Sequence, residues 1–243
     1  MKRVFCGLIG IIGIVVVCVS CNNLISIVGN GDLVTSEKSF SEFEKIISGS
    51  SAEVRFHVSE AYRAVITVDS NLDEYVEISI ENNTLNIGTK REYNCKFTKF
   101  LVDIYCPVLA DVSISGSSSF AGVDKINTST FVANVSGSGK IDGSIECDSF
   151  SASISGSGRI NVTGTCVEES ISISGSGNFN GNEFEAKNAS VTISGSGMAE
   201  ICVTDKLNAK ISGSGRLTYR GEPKIESKIS GSGRIRNISE SDK

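Results

Sequence analysis

The tetrapeptide SGSG, or a close variant, begins at Ser115, Ser136, Ser155, Ser174, Ser194, Ser212 and Ser230, at intervals of 21, 19, 19, 20, 18 and 18 residues. A period this short and regular, carried by glycines rather than helix formers, is the signature of a solenoid in which each repeat is one turn of a coil. Between the motifs the chain alternates strictly. Phe150, Ala152, Ile154, Gly156, Gly158, Ile160 and Val162 fall on one side, and Ser151, Ser153, Ser155, Ser157, Arg159 and Asn161 on the other. Period two means extended backbone with one buried face. The same phase returns at Ile171 and Ile173 and again at Val191 and Ile193. Each SGSG therefore reads as a bend between short strands, with both glycines directed inward and the serines outward.

A repeat of 18 to 21 residues accommodates three strands and their corners, so the fold class is all-β, a three-sided parallel β-helix. Stacked at about 4.8 Å per coil, six intervals make a column of roughly 29 Å. The sequence divides into residues 1–20, residues 21–45, a β-rich cap over 46–110 and the repeats over 111–238. In the cap, alternating stretches at Ala52 to Val58, Arg63 to Val68, Tyr75 to Ile80, Thr84 to Ile87 and Phe100 to Cys106 predict strands. Ser48-Gly49-Ser50-Ser51 echoes Ser115-Gly116-Ser117-Ser118, which suggests that the cap grew from the same coil.

Lys2 and Arg3 precede an apolar run from Val4 to Val19, short for a membrane span and suited to a signal-peptide core. Val19-Ser20-Cys21 resembles a lipoprotein processing site, with Cys21 as the lipidated residue and Cys18 where leucine is usual. Plain cleavage and an uncleaved anchor are the alternatives. Beyond residue 20 the chain keeps 21 basic against 28 acidic residues, a net charge of −7. That balance argues against nucleic acid as a partner, since phosphate binding needs a basic excess. Beyond the anchor residue Cys21, five cysteines remain, Cys95, Cys106, Cys147, Cys166 and Cys202, an odd number, so at least one thiol is expected free.

The stretch GNGDLVTSEKSFSEFEKIISGSSAEV, followed by serial segments such as ISGSGRINVTG at Ile154 to Gly164, resembles the head GIN domain family over roughly residues 30 to 236. That family is described as auto-transporter adhesins and is common among lipoproteins of Bacteroides-like bacteria. The resemblance implies a β-solenoid and an envelope location, and it supplies no catalytic or ligand residues.

Tests for chemistry return little. A serine nucleophile needs a base, and the single histidine, His57, falls on the solvent side of its strand. The turns carry serine where calcium-binding repeats carry aspartate. The cysteines lack the paired spacing of a zinc site, and no cofactor is expected. Cys147 and Cys166 each lie 11 residues after the first serine of their motif, in the same place on successive coils, so they are expected either to form a disulfide or to stack as buried thiols.

The residue after each motif is Lys140, Arg159, Asn178, Met198, Arg216 or Arg234. In register these form one outward column, which either covers the core edge with long side chains or receives an anionic glycan. The serine faces either bind sugars or keep the strands soluble.

Three function classes follow. The first is a non-enzymatic, lipid-anchored adhesion or scaffold module whose partners are the membrane and glycans or envelope proteins. The second is a polysaccharide-binding or polysaccharide-degrading β-helix, for which Glu146, Asp148, Glu168 and Glu169 are the carboxylates available, all read as solvated. The third is a homo-oligomer formed through outward apolar residues such as Val132 and Met198.

Overall fold

The computed structural model describes residues 25–238. The expected leader over residues 1–20 and the expected lipidation site at Cys21 lie outside the described residues. Before the repeats run β1 (Ile25–Val28), β2 (Leu33–Ser39), β3 (Lys45–Ser48), β4 (Glu53–Val58), β5 (Arg63–Asp69), β6 (Val76–Glu81), β7 (Thr84–Thr89), β8 (Tyr93–Lys96) and β9 (Phe100–Cys106). The repeats supply β10 (Asp111–Gly116), β11 (Ser119–Gly122), β12 (Ile126–Asn127), β13 (Thr130–Gly137), β14 (Lys140–Glu146) and β15 (Ser149–Gly156). They continue as β16 (Arg159–Gly175), β17 (Asn178–Gly195), β18 (Met198–Gly213), β19 (Arg216–Arg220), β20 (Lys224–Gly231) and β21 (Arg234–Asn237).

The chain is a parallel β-solenoid of about seven turns. One face stacks β7, β3, β10, β13 and β15, then the C-terminal parts of β16, β17 and β18, then β20, all parallel. The next face stacks β9, β4, β11 and β14, the N-terminal parts of β16, β17 and β18, then β19 and β21. In the β16–β17 ladder the paired runs are 159–161, 163–166 and 168–175, which matches a three-sided coil. The motif serines pair in one line, from Ser115 with Ser136 through to Ser212 with Ser230.

The parallel ladder does not begin at Asp111. Strands β3 and β4 already lie in register under β10 and β11, because a coil needs only extended backbone with alternating inward apolar residues, here Ile46, Val54 and Phe56. The motif echo in this coil is displaced by one residue: Ser48 stacks on Ile114, and Gly49 approaches Ser115. At the N-terminal end the stack is closed by antiparallel pairing of β6 on β7, β5 on β9 and β2 on β5. Such closure shields a ladder edge that would otherwise be free to pair.

The two glycines of each motif do different work, which corrects the expectation that both point inward. Gly158 is buried, and a Cβ there would sit 2.3 Å from Cγ1 of Val135 in the coil beneath. Gly156 instead adopts φ +118, and a Cβ there would meet the Gly137 carbonyl oxygen at 2.6 Å. That carbonyl accepts the Ser157 N–H at 2.9 Å, so the backbone ladder continues around the corner. In the first repeat the inward glycine is replaced by Ser118. The isoleucine that would lie beneath it is replaced by Ser48, and the two buried hydroxyls bond at 2.9 Å.

Inside the column, Phe131 and Phe150 stack with ring centroids 6.3 Å apart, and Phe184 meets Phe150 edge-on at 4.9 Å. Near the closed end, the fully buried Asp69 carboxylate ties three segments together. It accepts the Gly31 N–H at 2.9 Å, the Thr98 N–H at 2.8 Å and the Thr98 hydroxyl at 2.5 Å. Burial alone would raise its pKa, but the bonds from Thr98, Gly31 and Lys99 outweigh burial and hold it below the usual aspartate value. A lowered pKa means stability that is present above the unfolded value and lost as pH falls through the folded one. Asp69→Asn should cost about 2 kcal/mol at neutral pH and flatten the acid limb of the stability profile, measured by urea unfolding across pH.

Candidate functional site

The register puts Lys140, Arg159, Asn178, Met198, Arg216 and Arg234 in one unbroken column on the outer surface. Four of the six are cations, in two adjacent pairs separated by Asn178 and Met198. The Lys140 ammonium lies 2.7 Å from the Asp142 carboxylate, and the Arg216 guanidinium donates to the Met198 sulfur at 3.8 Å. Next to it runs a second outward column of Asp142, Asn161, Asn180, Glu200 and Thr218. The first column borders a depression of about 310 Å³ that Lys140, Arg159, Asn178 and Met198 help to line.

Two further concavities follow the corners of the coil. One, of about 680 Å³, lies where the second side meets the third and is lined by Asn161, Asn180, Asn182 and Glu183 among others. The other, of about 470 Å³, lies at the third corner and is bordered by Glu146, Asp148, Glu185 and Lys187. Glu146 is held by the Lys125 ammonium, and exposed Glu168 accepts the Asn188 amide at 2.7 Å.

Glu169 departs from expectation. The sequence reading groups it with the solvated carboxylates, yet it is 3% exposed and both carboxylate oxygens lack a hydrogen-bond partner. It takes an inward position between Phe150 and Ala189 of the neighbouring coils. Burial pushes its pKa up to about 8, so at neutral pH it is held chiefly as the neutral acid. Sequence alternation carried the signal, because Glu169 shares the parity of Ile171 and Ile173.

The family model described as "Putative auto-transporter adhesin, head GIN domain" matches residues 42–223. The chain belongs to the head GIN domain family. Among solved structures, it is 28% identical to a "putative lipid binding protein" from Parabacteroides distasonis, covering 88% of this chain and 100% of that one at a TM-score of 0.75. It is 27% identical to a "putative adhesin" from Parabacteroides merdae, with 88% and 100% covered and a TM-score of 0.70. A "putative adhesin" from Bacteroides fragilis shares the fold at a TM-score of 0.82 and 22% identity, with 87% and 100% covered. No curated protein matches the chain.

In this head GIN domain protein Cys147 and Cys166 are buried free thiols on successive coils, as are Cys95, Cys106 and Cys202 free thiols elsewhere. Burial first, then the Asp148 charge, pushes Cys147 to about 11. Burial, Glu169 and Cys147 itself push Cys166 up as well. Thiols so raised are poor nucleophiles and metal ligands. Among the described residues no group of three or more His, Cys, Asp or Glu is arranged to hold a metal ion. His57 is half-buried rather than free in solvent. Its Nε2 lies 3.2 Å from Asp103 Oδ1, and its ring stacks on Tyr105 at 4.8 Å. The head GIN solenoid thus offers columns and corner grooves, and the family's description is that of an adhesin.

Proposed function

We propose that this chain is a non-enzymatic adhesion or scaffold module of the cell envelope, tethered by a lipid at Cys21 and making repeated contacts along its column. What supports this reading is the register of the outer surface. One ladder sets Lys140 over Arg159 and Arg216 over Arg234 at the spacing of a coil, so an extended anionic polymer would meet the same kind of cation more than once. Weak contacts repeated on a rigid frame sum through geometry. The frame is rigid because the backbone ladders run through the corners and the core is close-packed.

The test is an acidic-glycan array probed with the folded protein beginning at Cys21, beside a variant with Lys140, Arg159, Arg216 and Arg234 changed to alanine. The wild type should bind with an affinity that falls as salt rises, and the variant should lose that binding. If wild type and variant bind alike, or neither binds, the column is a covering for the core edge and not a contact surface.

A further inference from the structure

The interval from Ser174 to Ser194 is one residue longer than the one before it, and the next is two shorter. Against the preceding coil the structure places this surplus at one spot. Pairing of β16 with β17 runs to Asn161 with Asn180 and resumes at Thr163 with Glu183, so Val162 faces both Gly181 and Asn182. Against β18 three extra residues fall in the same stretch, between the pairs Gly181 with Ile201 and Glu185 with Cys202, and one is given back between Ala186 and Asn188. Strand β17 therefore bulges relative to both neighbours. Bulges re-aim side chains and are concentrated beside functional sites.

Asn182 is the residue that the bulge adds. Its backbone N–H donates to Asn180 Oδ1 at 3.3 Å, and its Nδ2 donates to the Glu200 carboxylate. Its Oδ1 is buried and has no partner. The amide cannot simply be turned over, because an oxygen would then face the Glu200 carboxylate. A buried acceptor left unpaired costs about 1–3 kcal/mol, so this atom calls for a donor that the chain does not provide.

Asn182 lines the groove of about 680 Å³, a volume in the range of small-ligand sites. Gly122 and Gly143 line it as well and contribute no side chain to fill it. Around them are the hydroxyls of Ser144 and Thr163, the amides of Asn161 and Asn180, the carboxylate of Glu183 and the guanidinium of Arg220. Asp142, also in the lining, is already engaged by Lys140 at 2.7 Å and by the Asn161 amide at 2.6 Å. The groove thus mixes donors and acceptors with one available charge of each sign. An anion would meet Glu183, a cation would meet Arg220, and an apolar molecule would leave the hydroxyls, amides and both charges unpaired.

A sugar hydroxyl both donates and accepts, and neighbouring hydroxyls do so at close spacing. We propose that the groove at the β17 bulge binds a short neutral saccharide whose hydroxyls bond Thr163, Glu183 and Arg220, with a turn of the Asn182 side chain bringing its covered Oδ1 to one of them. This site is separate from the cationic column and does not depend on it.

The test follows the side-chain amide resonances of Asn161, Asn180 and Asn182 in the ¹⁵N-labelled protein. The probes are glucose, galactose, mannose, N-acetylglucosamine, maltose, lactose, cellobiose and chitobiose, each titrated to millimolar concentration. At least one sugar should produce saturable shifts at these amides. Asn182→Ala should weaken it about ten-fold, as should Thr163→Val, a change of nearly constant shape on an exposed position that guards against misfolding of the first variant. The variant of the four column cations should bind that sugar unchanged. The proposal is overturned if no sugar gives saturable shifts, if both groove variants bind as tightly as wild type, or if binding disappears with the column cations instead.

Discussion

Replacing Gly175 by alanine should destabilise the folded chain by at least about 3 kcal/mol, read as a lower urea midpoint. Gly175 sits in mid-column at φ +114, a conformation L side chains rarely adopt, and its Cβ would lie 2.7 Å from the Gly156 carbonyl oxygen. Relief by moving that oxygen is blocked, because it accepts the Ser176 N–H at 2.9 Å and so closes the ladder around the corner. Gly156 is in turn packed on Gly137 beneath it, and Gly195 packs on Gly175 from above. The strain cannot be passed along the column without opening another rung. Gly88→Ala is the matched control: it also lies in a strand, but a Cβ there meets nothing within 4 Å. It should shift stability by no more than about 0.5 kcal/mol. Equal midpoints for the two variants would mean that coil spacing relaxes at little cost and that the motif is not sterically required.

Glu169 should give the chain a stability that declines through the neutral range. With a folded pKa of about 8 against 4.5 for the free side chain, the folded state keeps a proton that the unfolded state has released. The folded state binds more protons over that window, so stability falls as pH rises from about 4.5 and levels off above about 8. The total is about 5 kcal/mol, at roughly 1.4 kcal/mol per pH unit of separation. Glu169→Gln should remove this slope while keeping shape. Glu169→Met, in line with Phe150 and Ala189, should also raise stability at pH 8 by about 3 kcal/mol. Urea unfolding of the three proteins between pH 5 and 9 decides the matter, and parallel profiles for wild type and Glu169→Gln would refute it.

The repeat made the solenoid legible because stacking is a periodic problem. A side chain in one coil has the same neighbour in the next, so the sequence must repeat wherever the backbone approaches itself closely. The five alternating stretches of the cap correspond to β4, β5, β6, β7 and β9 for a similar reason: each turns one apolar side to the core, buried in β4, β5, β7 and β9 and half-buried in β6. Strands β1, β2, β3 and β8 fall outside those stretches: β1, β3 and β8 are four residues each, too short to set a period, and β2 is largely exposed. The distinct duties of the two glycines were also hidden. Both are small, and only dihedral angles and neighbouring atoms tell a corner from an inward contact.

For the site, the sequence by itself determined which residues stack, since equal intervals bring Lys140, Arg159, Arg216 and Arg234 to one line and Cys147 beside Cys166. It also marked where a coil is too long. Only the tertiary structure decided what those placements mean. Parity alone would have put Glu169 inside, but chemistry argued for water, and packing between Phe150 and Ala189 settled it. The surplus residue between Ser174 and Ser194 became a bulge at Asn182 rather than a slack turn, because ladder pairing before and after it holds the motif strands in register. Periodicity records which atoms must be neighbours, whereas burial, bulging and unpaired acceptors arise from how the coils close around one another in space.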